Sequence, residues 1–185
     1  VNNVLGARVV MASGEIVELG GVLYDNPGPD LLALICGSEG MLGIVTQVTV
    51  ALLPEPETKA VLLAAFSEVV QAGNAVAAII SAGIIPAGME MMDKMAVQAA
   101  EAFAKAGYPL DAEAILIIEL DGAAAELATL NTQVTDILRA YGAYQIDEAH
   151  DATQQARLWK GRKSAFPAIG RLSPDYLCMD GTIPR

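Results

Sequence analysis

The chain shows two kinds of hydrophobic pattern, which meet at one proline-rich segment. Before that segment, short apolar runs rich in β-branched residues are typical of strands and span residues 5–12, 16–19 and 44–53. Ser13-Gly14 separates the first two runs and predicts a hairpin. A loop with Pro27 follows, and Asp30 predicts an N-cap for a short helix through Leu34, because its carboxylate can accept unpaired helix N–H groups.

The segment Pro54-Glu55-Pro56-Glu57 breaks the third run and predicts a domain boundary, with domains 1–56 and 57–185. Beyond it, strand-length apolar runs alternate with amphipathic helical patterns. The predicted strands are 60–66, 87–92, 115–120 and 143–146. This order predicts an α+β fold with a ferredoxin-like split βαβ arrangement, in which helices cover one face of an antiparallel sheet.

Helix boundaries in this second part can be predicted from capping residues and glycines. We expect the first helix to begin at an N-cap Ser67 and to stop at Gly83, and the second to be capped by Asp93 and closed by Gly107. A third helix covers 127–141, and the stretch 151–169 is also helical in pattern. A short extended run is expected at 177–179.

Composition narrows the classes of partner. The formal net charge is −11, which makes nucleic acid an unsuitable partner because phosphates would be repelled. Hydrophobic residues make up 54% of the chain, so we expect apolar surface to be covered by segments or partners outside it, a homodimer being one candidate. Cys36, Cys178 and a single histidine, His150, do not form a zinc site of usual composition, and no metal is expected.

The first candidate for chemistry is the glycine-rich sequence Gly37-Ser38-Glu39-Gly40-Met41-Leu42-Gly43. Glycines allow positive φ and close backbone approach, so free N–H groups here could hold a polar or anionic cofactor group. The sequence is neither a P-loop nor a dinucleotide-binding fingerprint, because its glycines precede a strand. The alternative interpretation is a tight connection between a helix and a strand.

The second candidate is a basic cluster in a chain that is otherwise acidic, formed by Arg157, Lys160, Arg162, Lys163 and Arg171. A guanidinium is the favoured bidentate partner of a carboxylate, which suits the recognition of a small carboxylic acid. The alternatives are a solvated helix face or pairing with acidic residues of the protein.

Several motifs resemble those of a flavoprotein family. Gly37-Ser38-Glu39-Gly40-x-Leu42-Gly43-Ile44 and Leu53-Pro54-x-Pro56 resemble the distal half of the FAD-binding domain in the vanillyl-alcohol-oxidase/p-cresol-methylhydroxylase (VAO/PCMH) type. The tail, with Trp159-x-Gly161-Arg162-Lys163 and Met179-Asp180-Gly181-Thr182-Ile183-Pro184-Arg185, resembles the flavin subunits of the D-lactate dehydrogenase and glycolate oxidase group. The resemblance covers essentially the whole chain.

This resemblance implies site residues. The glycine-rich turn would contact FAD, and the expected cofactor contacts are Asn3, Val4, Glu39, Gly40, Gly43 and Ile44. Residues 57–185 would form most of a cap domain, in which Arg162 grips the substrate carboxylate. Relatives carry a lysine two positions before the aspartate that matches Asp180, where this chain has Cys178.

The resemblance also implies an activity and partners. The full-length protein would oxidise a small 2-hydroxy acid such as glycolate or D-lactate with hydride transfer to flavin, and would pass electrons to other glycolate oxidase subunits or to a membrane acceptor. We expect a cytoplasmic protein. If its electron acceptor lies in the inner membrane, the protein would be peripheral to that membrane. The family's pyrophosphate loop and histidine-rich motif are not found here, so an internal fragment that neither retains FAD nor turns over is expected. The alternative is a non-catalytic small-molecule-binding or subunit-assembly module.

Overall fold

The computed structural model describes residues 3–23 and 28–181. Pro27 of the predicted loop and residues 182–185 of the tail motif lie outside the described residues. The chain divides into two compact units, Val1–Glu55 and Pro56–Arg185. This division falls within the Pro-Glu-Pro-Glu segment.

The first unit is a three-stranded antiparallel sheet with one short helix. Its elements are β1 (Val4–Val10), β2 (Ile16–Gly20), α1 (Leu31–Ile35) and β3 (Ile44–Val50), and the strand order is β2-β1-β3. The predicted hairpin is confirmed, since β1 and β2 pair antiparallel. The N-cap is confirmed as well, because Asp30 Oδ1 accepts the N–H of Ala33 at 3.0 Å.

This sheet has a small core. Among its described residues, the buried apolar side chains are those of Ala7 and Val9 on the central strand. The apolar side chains of β3 are largely exposed, at Ile44, Val45, Val48 and Val50. The first unit therefore leaves much of its apolar surface uncovered.

The second unit is built on a four-stranded antiparallel sheet. Its strands are β4 (Thr58–Phe66), β5 (Gly88–Asp93), β6 (Ala114–Gly122) and β7 (Ala143–Ala149). Its helices are α2 (Val69–Ser81), α3 (Lys94–Ala104), α4 (Ala124–Ala140), α5 (Ala152–Lys163) and α6 (Ala165–Ile169). The strand order β5-β6-β4-β7, with every pair antiparallel, is that of the split βαβ arrangement, so the predicted α+β class is confirmed.

Helices cover both faces of this sheet. One core contains Leu62, Leu116 and Ile118 of the strands and is closed by α2 and α4. These two helices connect β4 to β5 and β6 to β7, strands that are not neighbours in the sheet. The opposite core contains Leu63 and Ile117 and is closed by α3, α5 and residues of α6. The expectation that helices lie on one face is therefore wrong, because β4 and β6 carry apolar residues on both faces and both must be buried.

Some boundaries also differ from those predicted. Asp93 caps α3 as expected, with Oδ1 accepting the N–H of Ala96 at 2.9 Å. The N-cap of α2 is Glu68 and not Ser67, and the Glu68 side chain makes no capping bond. The stretch 177–179 is not a strand, and Leu177 and Met179 are exposed. In the described part of the chain, no helix is both long and apolar enough to cross a membrane.

Candidate functional site

Arg162 lies near the end of α5 and is paired with a carboxylate of the edge strand β5. Its Nε donates to Glu90 Oε2 at 3.1 Å, and its Nη2 lies 3.1 Å from the same oxygen. The side chains of Arg162 and Glu90 are 29% and 40% exposed. Within the described residues, Nη1 of Arg162 has no hydrogen-bond partner. The guanidinium is therefore fixed along one edge, while the other edge keeps donors for an anion.

Tyr108 fixes the backbone of α5 one turn before Arg162. Its side chain is buried, and its hydroxyl donates to the carbonyl of Leu158. Burial raises the pKa of Tyr108 to about 12, although the Arg162 backbone N–H hydrogen-bonds to the phenolic oxygen and opposes this rise. The phenol therefore stays neutral and remains a donor at physiological pH. A Cβ on Gly161 would lie 2.4 Å from Tyr108 Oη, so a glycine is required for this close approach.

A cleft of about 490 Å³ lies beside the same helix. It is lined by Glu119, Ala156, Trp159, Lys160, Lys163 and Ser164. Trp159 lies over the edge strand β5, because its Cη2 is 3.5 Å from the position that a Cβ on Gly88 would take. The indole Nε1 is buried and has no hydrogen-bond partner within the described residues. The cleft thus combines an aromatic wall with two lysines and one carboxylate, which already forms an ion pair with Lys59.

The predicted basic cluster does not form one site. Arg171 stacks on Phe103, with its guanidinium carbon 4.3 Å from the ring centroid. Arg157 lies near Gly107. Lys160 and Lys163 line the cleft, and Arg162 pairs with Glu90. Of the five basic residues, Arg162 combines partial burial with a fixed guanidinium, so it remains the candidate for binding a carboxylate.

The glycine-rich turn has the backbone conformation that its sequence predicts. Gly37, Glu39 and Gly40 have φ of +85°, +51° and +79°. The carbonyl of Ser38 accepts the N–H of Met41 at 2.8 Å, which closes a turn with positive φ at both central residues. The N–H groups of Glu39 and Gly40 have no hydrogen-bond partner within the described residues, and a Cβ on Gly40 would meet open space. These features fit a cradle for a polar group of a cofactor such as FAD.

The remaining predicted cofactor contacts lie at different places on the same strand pair. Gly43 is pressed against β1, since a Cβ there would lie 2.6 Å from Val9 Cγ1. Ile44 begins β3 opposite Val10, whereas Val4 lies opposite Val50 at the other end of the ladder, next to Asn3. Seven residues of extended chain span about 20 Å. Because the two ends are this far apart, one cofactor would contact both only by running along the strand.

The other residues singled out in the sequence show no further site. His150 is exposed, and its backbone N–H donates to Gln154 Oε1. Cys178 is an exposed free thiol in an irregular segment. Across residues 3–23 and 28–181, no group of three His, Cys, Asp or Glu side chains is placed to hold a metal ion.

Sequence patterns did not reveal Glu90 and Tyr108. Glu90 lies 72 positions before Arg162, so no local spacing links the two. The available signal was a carboxylate within an apolar strand, Met89-Glu90-Met91-Met92, where a charged residue usually has a partner. Tyr108 had a weaker signal, a single aromatic residue directly after Gly107.

Curated relatives resemble the chain along its whole length. The glycolate oxidase subunit GlcD of Escherichia coli K12 is 55% identical over 185 residues, which are 100% of this chain and 37% of that protein. The protein of the same name from Bacillus subtilis is 39% identical over 98% of the chain and 39% of its own length. A probable mitochondrial D-lactate dehydrogenase of Danio rerio is 30% identical over 93% of the chain and 35% of its own length. The chain therefore spans a little over a third of these relatives.

Solved structures share the fold. Alkyldihydroxyacetonephosphate synthase superposes on 94% of this chain with a TM-score of 0.68 and 22% identity, over 35% of its own chain. p-Cresol methylhydroxylase superposes on 85% of this chain with a TM-score of 0.67 and 16% identity, over 37% of its own chain. Residues 55–185 match the family described as FAD linked oxidases, C-terminal domain. The predicted resemblance is confirmed by this match and, at the level of the fold, by p-cresol methylhydroxylase. The chain belongs to the family of FAD linked oxidases.

Proposed function

We propose that this chain is part of a flavoprotein that oxidises a small 2-hydroxy acid, glycolate or D-lactate, to the 2-oxo acid. The names of its relatives support this class of substrate. FAD, when bound to the full-length protein, would supply the acceptor for the hydride that leaves C2 of the substrate. In this proposal, residues 1–56 belong to the flavin domain and residues 57–185 to the cap domain that binds the substrate.

The observation that carries the proposal is the state of Arg162. A 2-hydroxy acid needs one strong anchor for its carboxylate, and the anchor must hold C2 in one orientation. Arg162 is partly buried, fixed along one edge by Glu90, and keeps Nη1 for a ligand. Among side chains, a guanidinium in this state is best suited to bind a carboxylate through two donors.

We also propose that the turn with Glu39 and Gly40 holds FAD through its backbone N–H groups. Ile44 follows as an exposed apolar residue that can pack against the cofactor. Gly43 supports the turn from behind, because it allows β3 to approach Val9 closely. Asn3 and Val4 would contact the cofactor at the far end of the strand pair.

Electron acceptors and partners follow from the same proposal. The E. coli relative is named as a subunit, which supports other subunits of a glycolate oxidase as partners. Exposed apolar residues on β3 offer surface for the rest of the flavin domain or for a second copy. We propose a cytoplasmic location for the full-length protein.

The test is a flavin reduction assay on the full-length protein with FAD bound. Glycolate and D-lactate are added without oxygen, and loss of oxidised-flavin absorbance is followed. Arg162→Ala is expected to raise KM by about 10- to 100-fold, because a hydrogen bond between charged groups is lost. Lys163→Ala, which removes an exposed neighbouring cation, is the control and should change KM by less than about twofold. Flavin that neither acid reduces would refute the proposed substrate class.

A further inference from the structure

The ion pair of Arg162 has a geometry that a general charge contact would not need. One oxygen of Glu90 accepts from Nε at 3.1 Å and also lies 3.1 Å from Nη2. This contact fixes the plane of the guanidinium, because Nε and Nη2 form one edge of a rigid fork. The second edge, with Nη1, is left for another acceptor. Glu90 therefore determines which edge of Arg162 is presented.

The supports of Arg162 act at both ends of its side chain. Tyr108 holds the backbone of α5 through the Leu158 carbonyl, one turn before Arg162, while Glu90 holds the guanidinium. A long arginine side chain loses rotamer freedom when it binds a ligand, and a prior contact reduces that loss. The Glu90 carboxylate also repels the carboxylate of a bound ligand. This repulsion weakens binding and opposes the gain in affinity from the ordered arginine. The two effects can be separated because glutamine keeps the hydrogen-bond acceptor and removes the charge.

We infer that Glu90 is a positioning residue, which orients the guanidinium of Arg162 for the substrate carboxylate. This inference rests on the proposed role of Arg162. It goes beyond that role because it assigns a function to an acidic residue that would be expected to disfavour an anionic substrate. Glu90 would act by orienting Arg162 and not through its charge, so the Glu90→Gln variant should bind the ligand as the wild type does.

The experiment measures binding of oxalate, a carboxylate without a C2 hydrogen, to the oxidised full-length flavoprotein by the change in flavin absorbance. Glu90→Ala is expected to raise the Kd for oxalate about five- to tenfold, because Arg162 must then be ordered on binding. Glu90→Gln should restore the Kd to within about twofold of the wild type, since its amide oxygen accepts the same bonds. With glycolate as substrate, Glu90→Ala should raise KM by a similar factor and leave kcat within about twofold.

Controls separate this inference from the proposed function. Glu113→Ala removes the carboxylate of a comparable ion pair, Glu113 with Lys94 at 2.6 Å, and should leave the Kd unchanged. If Glu90→Ala does not fold, Glu90→Val keeps a strand-forming residue and likewise leaves no acceptor for the guanidinium. An unchanged or lower Kd in the truncated variant would overturn the positioning role. If Arg162→Ala also leaves the Kd unchanged, the proposed carboxylate anchor fails as well.

Discussion

Gly161 makes a close contact that no other residue could make. A Cβ at this position would lie 2.4 Å from Tyr108 Oη and 2.6 Å from Ala106 Cβ. We expect Gly161→Ala to destabilise the protein by about 1–3 kcal/mol through overpacking, although alanine favours a helix by about 1 kcal/mol over glycine. Gly73 of α2 has open space around it, so Gly73→Ala should stabilise by up to about 1 kcal/mol. Urea unfolding of both variants measures the contrast, and equal shifts would contradict the close contact.

Tyr108 gives the protein a specific alkaline instability. Its pKa is raised by burial to about 12 from an ordinary 10.0. Between these values the unfolded state binds fewer protons than the folded state, so stability falls as pH rises through the window. The expected loss is about 2–3 kcal/mol. Tyr108→Phe should remove this component, at a cost of about 1 kcal/mol near neutral pH for the lost hydrogen bond.

The measurement for Tyr108 is urea unfolding at a series of pH values from neutral to strongly alkaline. Tyr176, which is 50% exposed, provides the control. Tyr176→Phe should keep the wild-type dependence on pH. A Tyr108→Phe variant that loses stability as steeply as the wild type across the alkaline window would show that another group causes the loss.

Helix caps allow a comparison between two elements of the same unit. Asp93 caps α3 through a bond to the N–H of Ala96, whereas Glu68 stands at the N-cap of α2 without a side-chain bond. Asp93→Ala should cost about 1 kcal/mol, because an unpaired helix donor is left behind. Glu68→Ala should change stability by less than about 0.5 kcal/mol. Thermal unfolding of the two variants tests this difference, and a large loss in Glu68→Ala would contradict the assigned cap.

Elements with strong local signals could be predicted from the sequence, and their arrangement only in part. Asp93 and Gly83 mark ends of helices by their own chemistry, so these boundaries were confirmed. The apolar run 60–66 predicts a strand, and its lack of alternation also indicates burial on both faces. The run does not indicate which helices cover the second face, and the structure places α3 and α5 there. The pairing of Arg162 with Glu90 depends on how α5 packs beside β5, which local sequence does not encode.

At the scale of the whole molecule, the two units differ in how well they bury their own strands. In the second unit, residues 115–118 of the central strand β6 are fully buried, and helices lie on both faces. In the first unit, the described buried apolar side chains are Ala7 and Val9. Since burial of apolar surface is the main source of stability, local unfolding should be easier in the first unit.

Amide hydrogen exchange of the 185-residue chain tests this contrast. β3 and β7 are both edge strands, so edge position alone does not distinguish them. Helices α4 and α5 lie against β7, while β3 is exposed at nearly every position. We therefore expect β3 amides to exchange at least about tenfold faster than β7 amides, which corresponds to a difference of about 1.4 kcal/mol in opening free energy. Equal protection of the two strands would mean that β3 is covered in solution, by a second copy of the chain or by bound flavin. Dilution at a constant excess of added FAD would then distinguish these two cases, because the flavin complex is maintained while a dimer loses protection as the protein concentration falls.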